Sequence, residues 1–191
     1  MTYRLPLDVD ALRAAVRNGQ TFTFTPFYGH TVASGRITSA VYSQFYPVAF
    51  EIDGNLYQWA EQWMMASKAR LFADTAALAA ILAASHPLEC KNLGRQVAGY
   101  DDERWNEVRF DLVVSGNIAK FGQNPALREH LLASGDAILV EAAPRDAIWG
   151  IGLGRDNPAV ANPLQWRGRN LLGFALVKVR AILRRELPTL K

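Results

Sequence analysis

The chain has 191 residues, of which 50% are hydrophobic and 20% are charged, a composition that fits one globular domain and excludes a disordered chain. The formal net charge of +3 is too small to indicate a nucleic-acid partner by itself. The single cysteine, Cys90, excludes an internal disulfide and is typical of a reducing compartment. No apolar run has the length of a signal peptide or a membrane span, so we expect a cytoplasmic protein with no membrane partner.

The first third of the chain predicts one short helix and a few short strands. The expected elements are a helix over 10–18, a strand over 21–25, a loop over 29–39, and hairpin strands at 48–52 and 56–57. Gly19 ends the helix, because glycine is favoured just past a helix C-terminus. The hairpin turn falls at Asp53-Gly54, since both residues tolerate positive φ.

The rest of the chain is mostly helical by its capping residues and its periodic apolar pattern. The expected elements are helices over 59–72, 75–84, 87–97, 101–120, 125–134 and 170–186, a buried strand over 138–142, and an irregular Gly-rich segment over 149–154. Asp74 can cap the second of these helices, and Pro87 suits the first position of the third. The inward stripe predicted for 101–120 is Trp105, Val108, Leu112, Ser115 and Ala119. The pattern predicts an α+β fold, a single mostly helical domain with one small β-sheet.

Glu61 is the carboxylate best suited to chemistry. It stands among the tryptophans and methionines of 59–65, and burial among apolar groups raises a carboxyl pKa into the range useful for acid–base catalysis. Helical spacing places Glu61 and Lys68 on one stripe, about 10 Å apart along the axis at a rise of roughly 1.5 Å per residue. A small substrate fits between them. The alternative is a first-turn glutamate that only favours the helix dipole.

A second candidate segment is the Gly-rich run from Asp146 to Gly154. Glycines such as Gly150 let the backbone approach a ligand closely, and the face of Trp149 can stack on a flat base. The run lacks the strand–turn–helix frame of a dinucleotide-binding site. The alternative is therefore a loop with a tryptophan in the core.

Basic side chains are candidates for holding a phosphate. Arg95 offers a bidentate fork, and Lys91 and Lys120 offer point charges, although solvated helix faces explain any one of them taken singly. The three histidines show no metal-ligand spacing. We therefore expect neither a metal nor another cofactor.

Taken together, these residues resemble the YbiA-like N-glycosidases, also called NADAR-domain proteins, from about Phe27 to Arg180. The family often has Asn at the position of Gln44. The segments that carry the resemblance stand in the family's order and are Phe27-Tyr28, 42–47, 50–57, 60–69, 91–95, Trp105, Lys120-Phe121, 139–142, 146–153 and 168–173. Each segment alone is weak evidence, but the occurrence of all of them in this order is specific for the family.

The resemblance implies a YbiA-like fold, with residues 1–20 as an N-terminal helical extension and 21–187 as the N-glycosidase domain. It implies hydrolysis of the bond between ribose and an exocyclic amine, in phosphorylated ribosylamino-pyrimidine intermediates of riboflavin synthesis. Two alternatives stay open: an ADP-ribosyl-guanine hydrolase acting on nucleic acid, and a non-catalytic ADP-ribose-binding module. The resemblance leaves the oligomeric state open.

The resemblance also assigns a site. Glu61, Trp105, Asp146 and Trp149 match the family's functional positions, and Lys68 matches a lysine of the same site. The complete set predicted to bind substrate is Tyr28, Lys91, Arg95, Trp105, Trp149, Gly150 and Asn170. Two chemical routes are open: Glu61 and Asp146 act as a carboxylate pair in direct hydrolysis, or Lys68 exchanges onto C1 of a ring-opened imine.

Overall fold

The structure is a computed structural model that describes residues 5–186. The helices and strands of this part of the chain are, in order, α1 (Val9–Arg17), β1 (Phe24–Phe27), β2 (Phe50–Ile52), β3 (Asn55–Tyr57), α2 (Ala60–Leu71), α3 (Thr75–Ala83), α4 (Pro87–Arg95), α5 (Asp102–Gly122), α6 (Pro125–Ala133), β4 (Ile138–Glu141) and α7 (Leu171–Arg185). Short 3₁₀ turns lie at Ser39–Tyr42, Pro158–Ala161 and Pro163–Gln165. The predicted mostly helical α+β fold is confirmed.

The strands form two separate pairs rather than the one small sheet expected from the sequence. β1 runs parallel to β4, with Phe24 opposite Ile138 and Phe27 opposite Glu141. β2 and β3 form the predicted antiparallel hairpin, and its turn uses positive φ at both Asp53 and Gly54. β1 begins three residues later than the predicted strand, because its register is set by distant β4 and not by local alternation.

Helix α2 lies at the centre of the fold and packs against α3, α4 and α5. Every residue from Ala60 to Ala69 is buried, as in a helix that is surrounded by protein on all sides. Two glycines let its neighbours approach: a side chain at Gly94 would collide with Met65, and one at Gly116 with Trp63. The polar residues of α2 are therefore held inside the molecule.

Helices α5 and α7 bury different kinds of side chain. The inward face of α7 contains Leu172, Leu176, Val179 and Leu183, all buried. The stripe predicted for α5 is confirmed at Trp105, which is buried, and at Val108, Leu112 and Ala119, which are half-buried against the core. It is wrong at Ser115, which is exposed, and it missed the buried polar side chains of Arg109, Asn117 and Lys120. None of the described helices has the length and apolar character needed to cross a membrane.

Candidate functional site

A cavity of about 480 Å³ opens beside α2, α4 and the segment that follows β4. Seven residues predicted from the sequence line it, namely Glu61, Lys68, Lys91, Arg95, Trp105, Asp146 and Trp149. They come from four separate parts of the chain, and the fold brings them together. This volume lies in the range of small-molecule sites.

A larger groove of about 720 Å³ lies elsewhere, between α7 and the start of the described chain. It contains none of the predicted site residues, and its lining has one carboxylate, Asp136. That carboxylate is already paired with Arg184, at 2.8 Å between Oδ1 and Nη1. The smaller cavity is lined by three carboxyl groups, Glu61, Glu141 and Asp146, two of which have a buried oxygen without a partner. It is therefore the candidate site.

Glu61 is buried in the first turn of α2. Its backbone N–H donates to the carbonyl of Gln44 at 3.0 Å, while its side-chain Oε1 is buried and has no hydrogen-bond partner in the described structure. Burial raises the pKa of Glu61 to about 7, with the positive charge of Lys91 opposing the rise and the negative charge of Asp146 adding to it. A carboxyl that exchanges its proton near neutral pH suits acid–base catalysis.

Glu141 is a second carboxyl of the cavity, half-buried as a residue, and sequence reasoning did not single it out. It ends β4 and lines the cavity, and its Oε2 is buried without a partner. Burial raises the pKa of Glu141 to about 8, and the negative charges of Asp146 and Glu61 add to the rise. The sequence feature that could have indicated Glu141 is a charged residue at the end of a predicted buried strand.

Asp146 shapes the loop that closes one side of the cavity. Its Oδ1 accepts hydrogen bonds from the backbone N–H groups of Ile148 at 2.9 Å and Trp149 at 2.8 Å. Gly150 is required by packing, since a Cβ there would lie 2.9 Å from the carbonyl oxygen of Glu141. Gly150 therefore holds the loop against β4 and does not itself line the cavity.

Lys68 lies on α2, two turns beyond Glu61. Its Nζ donates to the carbonyl of Gly94 at 2.8 Å and lies 4.0 Å from the ring centroid of Tyr100 and 5.9 Å from that of Trp105. Burial lowers the pKa of Lys68, and the negative charge of Asp102 opposes this effect. The amine therefore loses its proton more readily than an exposed lysine.

The basic residues divide into two roles. Lys91 and Arg95 lie one turn apart on α4 and line the cavity, as does Arg145, which the sequence did not indicate. The phosphate role predicted for Lys120 is wrong. Its fully buried Nζ donates to the carbonyls of Val41 at 2.7 Å and Ser43 at 2.8 Å.

Two further predicted binding residues lie outside the cavity lining. Tyr28 follows β1 and is 57% exposed. Asn170 is fully buried, and its Oδ1 accepts from the N–H of Glu141 while its Nδ2 donates to the carbonyl of Leu139, both at 2.9 Å. Asn170 therefore fixes the end of β4 and the position of Glu141.

The assembled site contains carboxyl groups that hold protons near neutral pH, a buried amine, cations and two aromatic walls. Trp105 is buried and Trp149 half-buried. Among the residues that the structure describes, no group of three or more His, Cys, Asp or Glu side chains could hold a metal ion. Such a site can exchange protons with a polar substrate and stabilise charge that develops on it.

Comparison with known proteins agrees with the family resemblance found in the sequence. The sequence model of the NADAR domain matches residues 27–184. Over 145 residues the chain is 41% identical to N-glycosidase R617 of Acanthamoeba polyphaga mimivirus, covering 73% of this chain and 85% of that protein. It is 29% identical over 146 residues to riboflavin biosynthesis protein VVA0006 of Vibrio vulnificus strain YJ016, covering 76% of this chain and 36% of that protein. The NMR structure of Escherichia coli YbiA matches with a TM-score of 0.68 and 26% identity over 95% of each chain.

Proposed function

This chain belongs to the NADAR domain family and is a hydrolase acting on N-glycosyl bonds; from that premise we propose that it cleaves a phosphorylated ribosylamino-pyrimidine intermediate of riboflavin biosynthesis, between ribose C1 and the exocyclic nitrogen. The observation that carries the proposal is a single cavity lined both by carboxyl groups with raised pKa values, Glu61 and Glu141, and by the cations Lys91 and Arg95. The printed name of the Vibrio relative supports the substrate class. The reduced, buried Cys90 supports a cytoplasmic location.

Direct hydrolysis uses the two buried glutamates in different protonation states. Cleavage of the C1–N bond builds positive charge on the ribose ring, which ionised Glu61 stabilises while it accepts a proton from the attacking water. Glu141, whose pKa of about 8 keeps it protonated at neutral pH, gives its proton to the leaving nitrogen. The water oxygen bonds to C1, so one water is consumed for each bond cleaved.

A second route uses Lys68 as a nucleophile. The ribose of an exocyclic ribosylamine can open to an imine, and an unprotonated lysine can then replace the amine at C1. Burial lowers the pKa of Lys68 and supports this role. Water then releases the sugar from the lysine, so the products are the same as in direct hydrolysis.

The remaining cavity residues suit recognition of the two ends of such a substrate. Lys91 and Arg95, one turn apart on α4, are proposed to bind the phosphate. Trp105 and Trp149 are proposed to pack on the base or the ribose. Asp146, which organises the loop containing Trp149, remains a third carboxylate available to the reaction.

The test measures product release from two substrates and binding of one ligand. The protein is incubated with a phosphorylated ribosylamino-pyrimidine, with an oligonucleotide carrying ADP-ribose on guanine, and with free ADP-ribose as a binding ligand. We expect ribose phosphate from the first substrate and its loss in Glu61→Gln. Release of ADP-ribose from the second alone would assign the nucleic-acid activity instead, and binding of ADP-ribose without any release would make the chain a binding module.

A further inference from the structure

Gln44 is a buried glutamine in the lining of the cavity. It lies in the turn after the 3₁₀ segment Ser39–Tyr42 and lines the cavity, with 8% of its surface exposed. Its Nε2 is buried and has no hydrogen-bond partner in the described structure. A buried amide donor without a partner is destabilising, so the missing acceptor of Gln44 has to be explained.

The orientation of this amide follows from its neighbour Asn117 on α5. The Nδ2 of Asn117 donates to the carbonyl of Val113 at 2.8 Å and to Oε1 of Gln44 at 2.9 Å. Because the carbonyl of Val113 can only accept, the nitrogen of Asn117 must face it, and the same NH₂ group then requires an acceptor on Gln44. Gln44 therefore gives its oxygen to Asn117 and keeps its NH₂ for another group.

The turn that contains Gln44 is held from two sides. Buried Lys120 donates to the carbonyl of Ser43, and the carbonyl of Gln44 accepts the N–H of Glu61. The side chain and the backbone of Gln44 are thus both anchored before any ligand binds. An amide fixed in this way needs little reorganisation on binding.

The group that completes the site must both accept and donate a hydrogen bond. Oε1 of Glu61 is likewise buried without a partner, Glu61 lines the same cavity, and its backbone N–H donates to the carbonyl of Gln44. An ionised carboxylate only accepts. A phosphate oxygen would face the negative charge of that carboxylate, and an apolar group would leave both polar atoms unpaired. A hydroxyl accepts from the amide and donates to the carboxylate.

We propose that Gln44 is a substrate-binding residue, whose amide donates to a hydroxyl of the substrate's ribose while that hydroxyl donates to Glu61. The inference rests on the proposed function, which supplies the ribose. It gives Gln44 a role in specificity: a sugar that lacks this hydroxyl leaves the anchored amide unpaired and binds more weakly.

Calorimetric titration tests the inference without requiring turnover. Ribose 5-phosphate, 2-deoxyribose 5-phosphate and 3-deoxyribose 5-phosphate are titrated into the wild-type protein, into Gln44→Met and into Gln62→Met. Gln62 is the matched control, a buried glutamine on α2 whose amide is satisfied by the carbonyls of Ile81 and Leu82. Gln44→Leu, which also removes the amide, serves if Gln44→Met does not fold.

We expect the wild type and Gln62→Met to bind one of the deoxy sugars about 10- to 100-fold more weakly than ribose 5-phosphate, and the Gln44 variants to lose most of this difference. Equal binding of all three sugars to the wild type, unchanged discrimination in the Gln44 variants, or no binding of any sugar phosphate would overturn the inference. Absence of hydrolysis with discrimination intact would refute the proposed function and leave the role of Gln44 standing.

Discussion

The pKa of Glu141 predicts an unusual effect of pH on the variant Glu141→Gln. In the folded protein burial raises this pKa from its ordinary value of 4.5 to about 8. Between these two values the unfolded chain releases the proton while the folded protein keeps it, so Glu141 lowers wild-type stability as pH rises. The loss begins near pH 4.5 and is complete above about pH 8. Glutamine has the same shape and does not titrate, so the variant escapes this loss.

The size of the effect follows from the same pKa values. One pKa unit corresponds to about 1.4 kcal/mol, which sets an upper limit of roughly 4–5 kcal/mol on the destabilisation by ionised Glu141. Because the protein relaxes and water enters when a buried group ionises, we expect Glu141→Gln to exceed the wild type by about 2–4 kcal/mol at pH 9. At pH 5 we expect the two proteins to differ by less than about 1 kcal/mol.

Urea unfolding at pH 5, 7 and 9 measures this difference as the free energy of unfolding. The matched control is Glu107→Gln, which changes an exposed carboxylate of α5 and is expected to leave the pH dependence of stability unchanged. The same Glu141→Gln protein is expected to lose about 10²- to 10⁴-fold in kcat/KM, because it lacks the proton donor. A stability difference that stays constant from pH 5 to 9 would refute a buried, protonated Glu141.

Three further outcomes test the chemistry. Glu61→Gln is expected to fold, as checked by its thermal transition, and to lose about 10²- to 10⁴-fold in kcat/KM; turnover near the wild-type value would remove Glu61 from the mechanism. If the lysine route operates, borohydride added during turnover traps the sugar on Lys68, peptide mass spectrometry locates the adduct, and Lys68→Arg abolishes it, since a guanidinium is not a nucleophile at neutral pH. Full activity of the wild type without any trapped adduct would leave direct hydrolysis as the mechanism. Activity is expected to survive exhaustive chelation, because the described residues include no group of three or more His, Cys, Asp or Glu side chains that could hold a metal. Loss on chelation and recovery with one metal would contradict this.

Local signals in the sequence predicted most of the elements correctly. Asp74 caps α3 by accepting from the N–H of Ala77 at 2.9 Å, and Pro87 occupies the first position of α4. These features depend on the geometry of a few consecutive residues. Glu61 and Lys68 likewise share a cavity because both lie on one helix, where spacing in sequence determines spacing in space.

The parts that escaped prediction depend on partners far away in the chain. Lys120 resembled a surface cation because its buried partners, the carbonyls of Val41 and Ser43, belong to a turn in another region. Glu141 reaches the cavity through the parallel pairing of β4 with β1, which no local pattern specifies. Asn170 looked like a ligand contact, whereas its two hydrogen bonds fix β4.

Lys120 differs from the cavity glutamates in that its buried polar atom is hydrogen-bonded within the protein. Burial lowers the pKa of Lys120 to about 7. Two backbone carbonyls accept hydrogen bonds from its Nζ, so the buried amine is stabilised without a carboxylate partner. Glu61 and Glu141 differ, since each keeps one buried oxygen without a partner. A fully bonded buried lysine fits a structural role, and buried carboxyl oxygens left unpaired beside a cavity fit groups whose partners arrive with the substrate.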